Sequence, residues 1–397
     1  MLKLVWTPGA AAAPDAAAYR QATDTISATY GNSNATARIP RTSPAADLNA
    51  LTPVIQAWLA ARSVPNAAVK LMLHGYDYDP RHVGDPAYDP FTLIYGYPGD
   101  NALNPRLSWL PLVEECNDLG TRRQETAIAF AWVSTGSLAE YATAGWSESY
   151  EYACVDLSVL AAKALAALLR ALATEGVAVD VLAHSLGTRL FTKAVAALGL
   201  DDAMLNIVVL LVGAEFSVDT AATFAGRQCN VVNVTNEVDA VLTTGAEQLG
   251  DPSRTPGTVP SCSLGRYGLG TIASWTAPAV YPPNWVDVSL DRRDLQAWFK
   301  SNGGYSLTPT ASDGVHPEGQ MNHWACYTEV GNRAWLTDLL WKPGLNGGAL
   351  AKVAGLPRGV LGDPQPVFAG VGIPTSTPMT MAARMAYQRG AGLGVGG

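Results

Sequence analysis

The chain has 397 residues, 48% of them apolar, which is ample for a large core. Length alone suits two or three domains of about 150 residues. No linker divides the chain, so a single enlarged domain with insertions is expected. The net charge of −8 argues against nucleic acid or an anionic membrane as a partner.

The N-terminus carries one lysine, Lys3, before a short apolar run that Pro8 and Gly9 interrupt. That makes a poor signal peptide and a better first strand, and a cytoplasmic location is expected. No apolar run approaches the roughly 18 residues of a membrane span, so no integral membrane segment is expected. Residues 2–6 and 36–39 have the pattern of two short outer strands. Residues 48–61 have helical spacing, with Leu51, Ile55, Trp58 and Leu59 on one face. Residues 68–73 form a strand that ends in His74-Gly75-Tyr76. From about residue 77 to 125 there is no clear periodicity, and Pro, Gly, Asp and Tyr are frequent. That is far longer than an ordinary loop and is expected to be functional or a small subdomain.

A buried strand at 127–133 precedes a long Ala/Leu helix at 150–174, with Leu157, Leu160, Ala164, Leu165, Leu168 and Leu172 on its apolar face. Gly176 supplies its stop. Then come a strand at 177–182, a helix to about residue 198, an apolar strand at 205–213, a short helix at 218–225 and a strand at 230–235. A second irregular insertion runs from about 245 to 283. A last strand at 285–290 and a closing helix at 325–340 follow. The main domain thus covers 1–340, and residues 341–397 form a Gly/Pro-rich tail that wraps the surface or is disordered. Alternating strands and helices predict an α/β, doubly wound, mostly parallel sheet with helices on both faces. Chemistry then belongs at the C-terminal ends of the strands.

Five cysteines, Cys116, Cys154, Cys229, Cys262 and Cys326, are widely spaced and form no C-x-x-C pair. Neither a zinc site nor a dense disulfide framework is indicated. Mostly buried thiols are expected, with one or two disulfides left open.

The most informative stretch is residues 177–190. A β-branched run ends in Ala183-His184-Ser185-Leu186-Gly187, and a helical pattern starts at once. This is the strand, sharp turn and helix of a nucleophile elbow, G-x-S-x-G with Ala183 for the first glycine. Small residues two before and two after the serine are needed because the turn is tight. The turn lifts the Ser185 hydroxyl above the sheet and aims the Leu186 N–H at a developing oxyanion. Ser263 follows a Pro-rich segment and Ser134 has a bulky Trp132 where a small residue is required, so neither S-x-G triplet competes. The alternative role for Ser185 is a helix N-cap.

A serine hydroxyl needs a base, and the base needs an orienting acid. With this elbow the chain order is Ser, then Asp or Glu, then His. Of the five histidines, His74, His82 and His184 come too early, which leaves His323 and His316. His323 enters the last amphipathic segment and is favoured; His316 sits in a flexible turn. For the acid, Asp239 follows the strand at 230–235 after a short turn, with Glu237 and Glu215 as alternatives. The second oxyanion donor is expected from the N–H of Tyr76, with Gly75 allowing the turn and His74 holding it by hydrogen bonds.

On His74-Gly75-Tyr76, Ala183-His184-Ser185-Leu186-Gly187, Asn236 to Asp239 and His323, the chain resembles the α/β-hydrolase superfamily. More narrowly it resembles a bacterial group of uncharacterised α/β hydrolases with an A-H-S-x-G elbow. There the H-G-Y strand end is followed by a strand ending near a tryptophan and a serine, here Phe130 to Gly136, and by a tyrosine, here Tyr141. The resemblance implies an esterase- or lipase-like enzyme acting on a small-molecule or polymeric ester, with no metal and no organic cofactor. Thioesterase, lactonase, amidase or polyester hydrolase chemistry uses the same constellation, and a non-catalytic hydrolase-like binding protein is the rival of another class. Tyr76, Tyr78, Tyr88, Phe91, Tyr95, Tyr97 and Trp109 crowd the first insertion, and Trp275, Tyr281, Trp285 and Trp298 the second. They are expected either to line a cap over Ser185 for apolar acyl groups or to pack the insertions onto the body.

Overall fold

A computed structural model describes residues 1–9, 20–62, 68–85, 88–96, 107–113, 115–116, 122–123, 126–135, 150, 152–239, 241–242, 264–268, 285–310 and 321–341. Its main sheet is built from β1 (Leu2–Thr7), β2 (Thr23–Tyr30), β3 (Ser33–Pro40), β4 (Val69–Leu73), β5 (Ala127–Trp132), β6 (Val179–His184), β7 (Leu205–Leu211), β8 (Asn230–Thr235) and β9 (Trp285–Ser289). The nine strands lie in the order β9-β8-β7-β6-β4-β5-β1-β2-β3. All neighbours from β9 to β1 pair in parallel, and β1-β2-β3 pair antiparallel. Every residue of β4, β5 and β6 is buried, as expected of central parallel strands covered on both faces. The connections after β4 and β6 leave in opposite directions, towards β5 and β7. The C-terminal ends of β4 and β6 therefore flank a topological switch point, where open α/β sheets leave a crevice.

The principal helices are α1 (Thr52–Ala60), α2 (Ser158–Thr174), α3 (Leu186–Ala196), α4 (Ser217–Phe224), α5 (Arg293–Gly303) and α6 (Val330–Trp341). One π-type turn, Ala153–Leu157, leads into α2. Together Ala153–Thr174 are long and apolar enough to cross a membrane by composition alone, contrary to the expectation that no run approaches that length. More than half of that stretch is buried inside the fold, because α2 packs its leucine face against α3 and the sheet.

β2 and α5 are the principal elements outside the sequence pattern. β2 was not predicted, and β3 is longer than the expected 36–39. Asp24 occupies a core position of β2, which hides the period of two in TDTISATY. Arg41 makes that burial tolerable: its Nε donates to Asp24 Oδ1 at 2.9 Å, and the Gly9 N–H donates to the same oxygen. α5 was also missed. Its amphipathic set is short, with Leu295, Trp298 and Phe299 buried, and Gly304 ends it at φ 74°. The tail from residue 342, most of the second insertion and parts of the first lie outside the described residues. Cys154, Cys229 and Cys326 are buried and form no disulfide among the described residues.

A buried ion pair braces the sheet. Lys70 on β4 and Asp180 on β6 face each other in register, and Lys70 Nζ bonds Asp180 Oδ2. Lys70 also donates to the Leu340 carbonyl at the end of α6 (2.9 Å). The second carboxylate oxygen accepts from Asn206 Nδ2 (2.7 Å) and the Ile207 N–H (3.1 Å), which the irregularity between β6 and β7 leaves outside the ladder. Removing one partner of such a pair strands the other in the core. Lys70→Met is expected to cost about 3–5 kcal/mol, seen as a lower urea midpoint with an unchanged denaturant slope. An unaltered midpoint contradicts the brace.

Candidate active site

β6 runs into Ser185 without a break, and α3 begins at the next residue. Ser185 has φ 52° and ψ −123°, a conformation that residues with a Cβ rarely adopt and that costs of the order of 1–3 kcal/mol. Neighbouring strands hold it there. The Ser185 N–H donates to the Leu211 carbonyl (2.9 Å), and its own carbonyl accepts from the N–H groups of Ala214 and Thr188 (both 3.0 Å). Although Ser185 occupies the N-cap position of α3, its side chain makes no capping hydrogen bond. The Leu186 N–H is the first of α3 and has no carbonyl within the helix to bond.

Two glycines pack against this turn. A Cβ at Gly187 would lie 2.5 Å from the His74 carbonyl oxygen and 2.6 Å from that of Leu73. A Cβ at Gly75 would lie 2.8 Å from the Cβ of Ser185. The end of β4 and the start of α3 therefore touch backbone to backbone. Tyr76 follows immediately, its ring 5.3 Å from that of Tyr150 in an edge contact.

Asp239 and His323 meet although 84 residues separate them. His323 Nδ1 lies 2.7 Å from Asp239 Oδ2, and both side chains are buried. Asp239 Oδ1 accepts from the Leu242 N–H (2.9 Å), which fixes the carboxylate. A carboxylate only accepts, so Nδ1 donates, and in the neutral ring Nε2 carries the lone pair. The loop that bears His323 is pinned by side chains the sequence reading gave no role. Asn236 Nδ2 donates to the carbonyls of Pro309 (2.7 Å) and Asn322 (2.9 Å), and Asn322 Nδ2 donates to the Val238 carbonyl (2.9 Å). Asn236 stands in the turn that carries Asp239, the one local signal that could have found it. The ring of His184, next in sequence to Ser185, lies 4.7 Å from the ring of His323.

The other candidates are engaged elsewhere. Glu215 is buried in an ion pair with Arg189, whose Nη1 lies 3.1 Å from both carboxylate oxygens, and it also accepts from the Phe216 N–H. Burial pushes its carboxyl above the usual range and the Arg189 charge opposes that. Glu237 takes part through its backbone: its carbonyl accepts from Arg266 and its N–H donates to Asp291. His316 lies outside the described residues. Ser134, in the rejected S-x-G triplet, bonds both the N–H and the carbonyl of Tyr78. Among the described residues no three His, Cys, Asp or Glu side chains converge to hold a metal ion.

His74 is fully buried and ties β4 to β5. Its Nε2 accepts from the Trp132 N–H (3.1 Å), so Nδ1 carries the proton and donates to the Gly75 carbonyl (2.9 Å). Tyr95, from the first insertion, accepts from the His74 N–H (2.8 Å) and shares its own proton between the carbonyls of Met72 and Phe130 (both 3.1 Å). Tyr95 and Trp109 are wholly buried and pack onto the body. Trp285 and Trp298 pack against Phe224 and Phe299. Tyr97, Trp275 and Tyr281 lie outside the described residues.

Burial holds the His74 ring neutral, lowering its pKa from 6.5 to about 3. Below the unfolded value the unfolded chain binds a proton at this ring and the folded chain does not. Stability is therefore lost as pH falls from about 6.5 towards 3, at up to about 1.4 kcal/mol per pH unit. In urea unfolding between about pH 7 and pH 5, His74→Gln is expected to have a shallower pH slope than wild type. Parallel slopes contradict the assignment.

Residues 111–235 match the model of a family described as an alpha/beta hydrolase of unknown function (DUF900). The match takes in β5 to β8 and the Ser185 elbow, and stops short of Asp239 and His323. No curated protein sequence matches the chain. The matched segment, the mostly parallel sheet and the strand–turn–helix junction at Ser185 together place the chain in the α/β-hydrolase superfamily.

Proposed function

We propose that the chain is a serine hydrolase that cleaves carboxylic esters through an acyl-enzyme. In this reading the Ser185 oxygen attacks the ester carbonyl carbon while His323 Nε2 takes the hydroxyl proton. Asp239 keeps the proton on Nδ1, so that Nε2 is the basic nitrogen, and stabilises the imidazolium as it forms. The N–H groups of Leu186 and Tyr76 receive the oxyanion, the first from the open end of α3 and the second from the turn after β4. The carbon–oxygen bond to the alcohol then breaks, and the alcohol leaves with the proton from His323. Water repeats the sequence on the acyl-enzyme and releases the acid.

The observation that carries this reading is the backbone of Ser185. A non-glycine residue held at φ 52° between β6 and α3, with its side chain making no cap, is strained for no structural return. Such strain is the mark of a residue presented for chemistry. The Asp239–His323 pair at 2.7 Å supports it independently, since a buried carboxylate on Nδ1 is the orienting half of the constellation.

The test is covalent labelling. A fluorophosphonate probe is expected to label the wild-type protein, with the modified peptide containing Ser185, and Ser185→Ala is expected to lose both the label and hydrolysis of p-nitrophenyl butyrate. Asp239→Asn, which leaves the shape intact but disfavours the productive tautomer, is expected to lower kcat by about 10³–10⁴-fold. Label on another residue, or substantial turnover by Ser185→Ala, overturns the assignment.

A further inference from the structure

We propose that His184 is a positioning residue that sets the imidazole of His323 relative to Ser185. The inference rests on the serine-hydrolase reading and adds a residue to it. Its observation is one ring, next in sequence to Ser185, in contact with both the segment of His323 and the turn that bears Tyr76. His184 Nε2 lies 3.3 Å from the backbone carbonyl of His323. A carbonyl only accepts, so Nε2 carries a proton and donates it. The two imidazoles face each other with centroids 4.7 Å apart, tilted by 54°. On the opposite side, a Cβ at Gly75 would lie 3.3 Å from His184 Nδ1, so the turn that bears Tyr76 also abuts this ring. Tyr327, just beyond His323, meets the ring edge-on at 5.0 Å, and Trp109 of the first insertion does so at 6.1 Å. His184 is buried, with 3% of its surface exposed.

A general base keeps its aim only when it is anchored at more than one point. Asp239 holds one edge of the His323 ring, and Asn236 and Asn322 pin the loop at the residue before it, which leaves His323 able to pivot about its one side-chain bond. The donor on His184 catches the His323 backbone, a second and distinct point. Because His184 is covalently next to Ser185, this anchor refers the base directly to the nucleophile and bypasses the 84-residue route through Asp239. The ring contacts with Tyr327 and Trp109 keep the donor aimed. Displacing a reacting group by about 1 Å can cost on the order of 10²-fold in rate, so loss of this anchor falls on kcat. Substrate binding does not draw on it, so KM is expected to stay.

Three proteins separate the possibilities: wild type, His184→Phe, which keeps a packing ring without a donor, and His184→Gln, whose amide N–H₂ can reach the position of Nε2. Each is titrated with the fluorophosphonate probe, so that kcat is expressed per reactive serine, and assayed on p-nitrophenyl butyrate. H184F is expected to lose about 10–100-fold in kcat with KM within about threefold, and H184Q is expected to recover most of the loss. A purely architectural role predicts fewer titratable sites and a lower melting temperature but an unchanged kcat per site, and that result overturns the proposal. So does H184Q performing no better than H184F. Should H184F fail to fold, His184→Leu replaces it in the same comparison with the same outcomes. A wild-type protein that neither takes the probe nor hydrolyses the ester removes the serine-hydrolase reading itself, and the positioning role falls with it.

Discussion

Ser185 sits at φ 52° with both its backbone groups committed to neighbouring segments, and much of the surrounding structure holds it there. Its N–H is bound by the end of β7 and its carbonyl by the residues just after β7 and in the first turn of α3. The crowding that results can be relieved only by taking atoms away from the neighbours. Gly187 and Gly75 are those places: a methyl group at either would run into the backbone of the opposing element or the serine itself. The elbow is thus one steric solution spread over β4, β6, β7 and α3.

The site end of the sheet is consolidated by polar groups that are buried and paired. His74 joins β4 to β5 through its ring, and Tyr95 fills the gap where the same two strands part beyond Leu73 and Phe130. Arg189 and Glu215 tie α3 to the segment after β7, and Arg189 Nε reaches the Cys154 carbonyl in the π-type turn before α2. Each of these groups is expensive to bury alone and tolerable with its partner. Their common effect is to make loops at the C-terminal ends of the strands behave as parts of the sheet, which suits groups whose spacing matters.

The aromatic residues of the first insertion illustrate what composition leaves open. A run of tyrosines and a tryptophan suits a ligand cleft and suits a packed interface equally, because both need large rings with a polar edge. In the fold, Tyr95 is drawn in by three backbone groups at the end of β4 and β5, and Trp109 by the rings of His184 and Tyr327. What stands opposite each ring decides its role, and that is set by distant segments.

Much of the fold and half of the candidate site were legible in the sequence. Residues 183–187 determined the elbow, because its requirements are local: a strand, a turn admitting only small residues at two fixed positions, and a helix. The central strands were equally plain, since burial on both faces demands an unbroken apolar run. β2 was hidden because a charged residue, Asp24, fills a core position, which only its encounter with Arg41 makes possible. The partner of His323 belonged to tertiary structure as well. Its place after β8 puts Asp239 ahead of Glu237 and Glu215 as the acid, and only folding brings Asp239 to Nδ1 while giving Glu215 to Arg189. Local steric rules act between neighbours in the chain and can be read there, whereas a hydrogen bond across 84 residues depends on where every intervening element packs.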